Sequence, residues 1–376
     1  MLEPASGGTK MNVVPKTHIT RSRLKITLTA SAAAVVIAGC GGGGSSSGVG
    51  PQTRLNGALT PNVIFYANSP DNGNTIGMNM INPDGSGKTS LGTLPPGFQG
   101  IAMNPAVLGQ KVFGYSPGNS TSATYGIFSN NRISSVGATQ IVKPTYSFIE
   151  SMQVSLDGAW VYYVASIGAN YPALYKVSIT GGTPITLDNT GFIMSANVDT
   201  VTGTMVTYDK EIVLGNGNNV SAVYVLSTKG GVPTLVTNDQ ANNYEMPQFS
   251  KDASQIVLES DKDHSNFEVY TMSASNISVN GSGLTQVTDS PNVAKQDGVS
   301  FSADGTTTSY VGQGLGAANT GIYVSGLIGA NPPAPSTLVV QDSTVQAGMY
   351  WTSFGGRSTS GLTAYLARPR RHGLIP

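Results

Sequence analysis

The sequence predicts an all-β chain, a six-bladed β-propeller of four-stranded antiparallel blades, and three observations carry that expectation. The first is composition. Of 376 residues 47 are Gly, 21 are Pro and only 11% are charged, against roughly 25% charged and 7% Gly in an ordinary soluble domain. Such a chain suits short strands and tight turns and excludes coiled coils and helix bundles. The second is a recurring phrase in which a strand ends, a small polar turn follows and a second strand begins. It is clear at Val154-Ser155-Leu156-Asp157-Gly158, Phe249-Ser250-Lys251-Asp252-Ala253 and Phe301-Ser302-Ala303-Asp304-Gly305, and weaker at Met103, Val198 and Thr352. The anchors 103, 154, 198, 249, 301 and 352 are spaced by 51, 44, 51, 52 and 51 residues. The third is an independent series, Met78, Phe128, Tyr175, Tyr224, Tyr270 and Tyr323, that interleaves with the first and marks a later strand of each unit.

Each element of a unit follows from local chemistry. After the later strand come Asp84-Gly85, Gly181-Gly182, Gly230-Gly231 and Asn280-Gly281, dipeptides that supply the positive φ a tight hairpin needs. A short apolar stretch follows, as in Pro184–Leu187 and Pro233–Val236, so that each unit contains about four strands. The first unit lacks its opening strand and the last anchor lacks its partners, so the C-terminus is expected to complete the N-terminal blade. Both 62–67 and 362–366 qualify as the second strand of that blade, and this ambiguity keeps seven blades as the alternative to six.

The N-terminal region reads as an export signal. Lys16, Arg21, Arg23 and Lys25 precede an uncharged run from Ile26 to Ala38. That run is too short for the ~20 residues of a membrane-spanning helix. It ends in Ile37-Ala38-Gly39-Cys40, which contains the only cysteine of the chain and resembles the bacterial lipobox. The resemblance implies cleavage before Cys40 and diacylation of its thiol, and Gly41 in place of Asp favours the outer membrane. The expected organisation is a signal peptide at 1–39 with Met11 as a candidate start, a lipidated Cys40 and Gly/Ser tether at 40–60, the propeller at 61–367 and a basic tail at 368–376.

The stretch from Phe249 to Met272, FSKDASQIVLESDKDHSNFEVYTM, resembles the repeat of TolB-type propellers, with its FSPDG turn, apolar strand, SDRDG turn and closing strand. Leu284-Thr285 resembles the end of such repeats. The resemblance spans about 62–355, is closest in the fifth unit, and departs from the pattern at Ala253 for Gly and at Leu156, Lys251 and Ala303 for Pro. Neither the amino-terminal α/β domain of TolB nor the hydrolase domain that follows related propellers in some peptidases has a counterpart.

Few residues suit chemistry. The three histidines are His18, His264 and His372, so a zinc site or a Ser-His-Asp triad inside the fold could draw only on His264. Asp84-Gly85-Ser86-Gly87-Lys88-Thr89 mimics the end of a P-loop but lacks its first glycine and its helix, and reads as a hairpin turn. Gly312–Gly316 reads as a loop. Asp157, Asp252 and Asp304 follow Ser by two positions, a turn-forming pattern. Asp261, Asp263, His264 and Glu268, with Asn266, form the candidate binding cluster; they fail the calcium-loop pattern at Asn266 and Met272, and no metal is expected there. The tyrosine series reads as packing between blades rather than as a carbohydrate platform.

Residues 51–366 carry 12 basic and 19 acidic side chains, 12 − 19 = −7, which argues against a nucleic-acid partner. The expectation is a lipid-anchored cell-envelope propeller that binds or scaffolds an envelope protein, without catalytic residues or cofactor. The alternative is an enzyme or binder acting on an extracellular glycan through carboxylates of the propeller loops.

Overall fold

The computed structural model describes strands and turns between Val63 and Tyr365. Residues 1–62 and 366–376 are not described, nor are several connections, among them 116–125, 215–218, 263–265, 276–282, 315–319 and 343–351. The expected signal peptide, Cys40, the tether, the basic tail, Asp263, His264, Asp304 and Asn280-Gly281 all lie outside the described residues. No helix among the described residues is long and apolar enough to cross a membrane.

The described residues form six antiparallel sheets, and each sheet corresponds to one predicted unit. The first contains β1 (Val63–Asn68), β2 (Ile76–Ile81) and β3 (Thr89–Leu94). The second contains β4 (Phe98–Met103), β5 (Lys111–Tyr115), β6 (Gly126–Asn130) and β7 (Thr139–Val142). The third comprises β8 (Tyr146–Val154), β9 (Trp160–Ile167), β10 (Ala173–Ser178) and β11 (Ile185–Asp188), and the fourth β12 (Ile193–Val198), β13 (Met205–Val213), β14 (Asn219–Ser227) and β15 (Thr234–Leu235). The fifth comprises β16 (Tyr244–Phe249), β17 (Gln255–Ser260), β18 (Glu268–Ser273) and β19 (Thr285–Gln286). The sixth comprises β20 (Val293–Lys295), β21 (Ser300–Phe301), β22 (Thr308–Gly314), β23 (Gly321–Val324) and β24 (Thr337–Gln341). Two late strands remain, β25 (Thr352–Gly355) and β26 (Thr363–Tyr365).

β25 joins the first sheet in the order β25-β1-β2-β3, with Val63 opposite Gly355 and Tyr66 opposite Thr352. The C-terminal region therefore supplies the opening strand of the N-terminal sheet, as expected, and β1 is its second strand. The other candidate, β26, pairs instead with β4, with Thr363 opposite Ala102. All six anchors fall in or at the end of the first strand of a sheet, and the second series falls on the third strands. Gly312–Gly314, expected as a loop, are instead the end of β22, where Gly312 pairs with Gly321.

The turn between first and second strands repeats because its chemistry is local. In the third sheet Ser155 donates its hydroxyl to Asp157 (2.5 Å), Asp157 accepts the Ala159 N–H, and Ser155 Oγ accepts the Trp160 N–H. Ser250, Asp252, Ser254 and Gln255 repeat the pattern in the fifth. The hydroxyl of Ser155 and the N–H of Ala159 hold the Asp157 carboxyl below the ordinary range, and Ser250 and Ser254 do the same for Asp252. The Gly position of the turn is left-handed at Gly158 (φ 69) and Gly305 (φ 72), and Ala253 occupies it at φ 56. A Cβ in that region costs about 1–2 kcal/mol. Ala253→Gly is therefore expected to raise stability by roughly 0.5–1 kcal/mol after the added unfolded-state entropy of Gly is subtracted. A higher urea midpoint at unchanged m-value would show it.

Between sheets the core is aromatic and aliphatic. Phe113 stacks on Phe128, Tyr163 on Tyr175, Tyr208 on Tyr224 and Tyr310 on Tyr323, with ring centroids 5.4–5.8 Å apart. Each pair joins residues directly opposite on the second and third strands. These stacks lie within sheets, and the same tyrosines also pack between sheets as predicted, Tyr208 against Val164 and Leu174 of the third and Tyr310 and Tyr323 against Val257 and Val269 of the fifth.

Candidate functional site

Adjacent sheets run in the same direction. Gln153 bonds the backbone of Val198, and Ser151 Oγ accepts the Ala196 N–H, so positions 45 residues apart stay in step along β8 and β12. A glycine of the third sheet's hairpin, Gly181, packs on Ile141 of β7, and Gly85 of the first sheet packs likewise on Val339 of β24. The connections therefore sort onto two ends. One end, the turn end, holds the turns between first and second and between third and fourth strands. The other, the loop end, holds the connections from second to third strands and those between sheets.

The candidate binding cluster belongs to the loop end. Asp261 follows β17 and accepts two bonds from Asn243, one from its backbone N–H (2.7 Å) and one from its amide (2.9 Å). These tie the β17–β18 connection to the entry of β16. Glu268 opens β18 and is fully buried, accepting the Thr288 hydroxyl (2.6 Å) and the Ser290 N–H (3.0 Å). Thr288 in turn accepts the Val269 N–H. Asp261 and Glu268 therefore have separate partners, Asp261 at the rim and Glu268 as an internal brace. Among the described residues no group of three His, Cys, Asp or Glu is arranged to hold a metal ion.

Other carboxylates are engaged within the scaffold. Asp209, fully buried on β13, accepts the N–H and hydroxyl of Ser195 (both 2.7 Å) and the Met246 N–H. Asp199 accepts the Val201, Thr202 and Thr204 N–H groups and the Thr202 hydroxyl. Asp84 folds back on Ser86, in the hairpin turn expected in place of a P-loop. Asp188 at the end of β11 pairs with Lys210 of β13 at 2.9 Å and accepts the Tyr208 hydroxyl (2.6 Å) and the Thr190 hydroxyl and N–H. The Lys210 ammonium also lies 4.2 Å from the Tyr224 ring centroid.

No protein-family profile matches the sequence, and no curated relative does. Solved structures do. A TolB-type protein of Agrobacterium tumefaciens superposes with a TM-score of 0.53 at 12% identity, covering 83% of this chain and all of that one. TolB of Acinetobacter baumannii superposes at 0.52 and 13% identity, covering 73% of this chain and 65% of that one. The fold is a β-propeller similar to those of the TolB structures. A puromycin hydrolase superposes at 0.52 and 11% identity, with 79% of this chain spanning 56% of the hydrolase. In this propeller the loop end carries Asp261, Tyr171 and Val213, and the turn end carries the repeated Ser-Asp turns. The Asp261 anchor and the Glu268 brace were not legible in the sequence, because their partners Asn243, Thr288 and Ser290 lie 18–22 residues away, just outside other strands.

Proposed function

We propose that the mature protein is a lipid-anchored β-propeller of the bacterial cell envelope, acylated at Cys40, that binds an envelope protein at its loop end. The observation that carries the binding reading is the disposition of the acids. Asp157, Asp188, Asp199, Asp209, Asp252 and Glu268 each serve the scaffold's own turns and strands. A carboxylate that already accepts several hydrogen bonds is a poor proton donor, so none of these six suits the acid of a glycan-cleaving enzyme; Glu245 and Glu259, buried opposite each other on β16 and β17, are a separate pair. Rigid scaffolds place recognition in their connections. Here Asp261 lies on the β17–β18 connection, which Glu268 braces from within, and Tyr171 and Val213 stand exposed at the same end.

A photo-crosslinking side chain placed at Tyr171, Val213 or Asp261 in cells is expected to capture one protein in common, and the same group at Thr234 on β15 is not. Capture of nothing, or of the same species from both positions, would overturn the reading. Release of sugar from envelope polysaccharide by the purified chain would favour the enzymatic alternative.

A further inference from the structure

The chain enters the propeller at a defined end. Val63, the first residue of β1, pairs with Gly355 at the close of β25, and in every sheet the close of the first strand lies at the turn end. From Cys40 to Val63 there are 63 − 40 = 23 residue steps, at most about 80 Å of extended chain. A lipid on Cys40 therefore holds the protein by its turn end.

Among the described residues, that end also carries most of the exposed large apolar side chains. Leu156 and Val201 lie in turns between first and second strands, and Val232 (90% exposed) and Leu327 (63%) in connections between third and fourth strands. They come from the third, fourth and sixth sheets, so they are spread over one end rather than gathered into a pocket. Isolated apolar residues are ordinary on a surface; their concentration at the tether's end is the informative point. Lys88 and Lys229 are exposed on turns of the same end. Asp84, Asp157 and Asp252 are exposed at the same end, each accepting a hydrogen bond from a serine hydroxyl of its own turn. Apolar tips spread over one face suit the headgroup region of a bilayer.

We infer that the turn end lies against the bilayer, with Leu156, Val201, Val232 and Leu327 entering the headgroup region, and that the loop end faces away from it. This rests on the lipid anchor proposed above. The geometry also separates the two contacts, since the end proposed to bind protein is the one left free.

The test uses the mature chain beginning at Cys40, coupled through that thiol to a maleimide lipid in vesicles of phosphatidylethanolamine and phosphatidylglycerol. Amide exchange across 155–158, 201–204, 229–233 and 326–329 is expected to slow by more than about threefold relative to the uncoupled chain, with 170–172 and 211–214 unchanged. The variant Val232→Asp/Leu327→Asp is expected to remain coupled yet lose that slowing. Slowing at the loop end, slowing at neither end, or slowing without vesicles that grows with protein concentration, as a second copy would produce, would each overturn the inference. Because the coupling is chemical, the result is independent of whether cells acylate Cys40. An absence of acylation would sink the anchor reading and leave the surface measurement standing.

Discussion

Asp188→Ala is expected to destabilise the propeller by about 3–5 kcal/mol, the cost of leaving one member of a buried ion pair alone. Asp188 ends the third sheet and Lys210 lies in the fourth; their side chains are 1% and 9% exposed and sit 2.9 Å apart. Without the carboxylate, the Lys210 ammonium keeps Thr190 Oγ1 (2.9 Å) and the Tyr224 and Tyr208 rings, and the Tyr208 hydroxyl loses its acceptor. There is little room to retreat, since a Cβ at Gly191 would meet the Lys210 side chain at 3.0 Å. Replacing both charges, as Asp188→Leu/Lys210→Met, is expected to cost much less than the single change. Urea unfolding of the three proteins would show the order. Burial raises the Asp188 pKa, but hydrogen bonds from Thr190, Tyr208 and Lys210 outweigh it and hold the carboxyl below its ordinary range. A depressed folded pKa adds stability above the unfolded value, near 4, and that stability fades as pH falls through the folded value. The gap between wild type and Asp188→Ala should therefore be widest near neutrality and narrow in acid.

The second large effect is on location. Cys40→Ala is expected to move the protein from the membrane fraction to the soluble fraction, because one acyl chain holds a protein only marginally whereas several hold it stably. The folded body should be unaffected, so the variant's thermal unfolding should match that of the wild type stripped of lipid. A Cys40→Ala protein that still pellets with membranes after a salt wash would contradict a lipid anchor.

The repeat was legible because its signals are local. A Ser-x-Asp turn closes through its own hydroxyl and carboxylate within five residues, and Gly230-Gly231 reaches φ 89 and 126 by its own freedom. The opening strand of the first sheet was legible too, from the mismatch between the two anchor series. What escaped is contact between strands and between units. Nothing near Lys210 in the sequence points to Asp188, 22 residues earlier, and the partners of Asp209, Ser195 and Met246, lie in two different sheets. Gly312–Gly314 read as a loop because glycine suggests turns, yet in β22 they lie opposite Gly321 and β20, at close backbone approach. A Cβ at Gly321 would fall 1.8 Å from Val340 O, so the strand tolerates only glycine there.

A lipid at Cys40 would tether the propeller by one end. The most direct measurement is the intact mass and N-terminal fragment spectrum of the protein extracted with detergent from the membranes of cells expressing the full sequence. The expected species is a chain that begins at Cys40 and carries the added mass of a diacylglyceryl group. A chain that retains residues before Cys40, or begins there with an unmodified thiol, would contradict it.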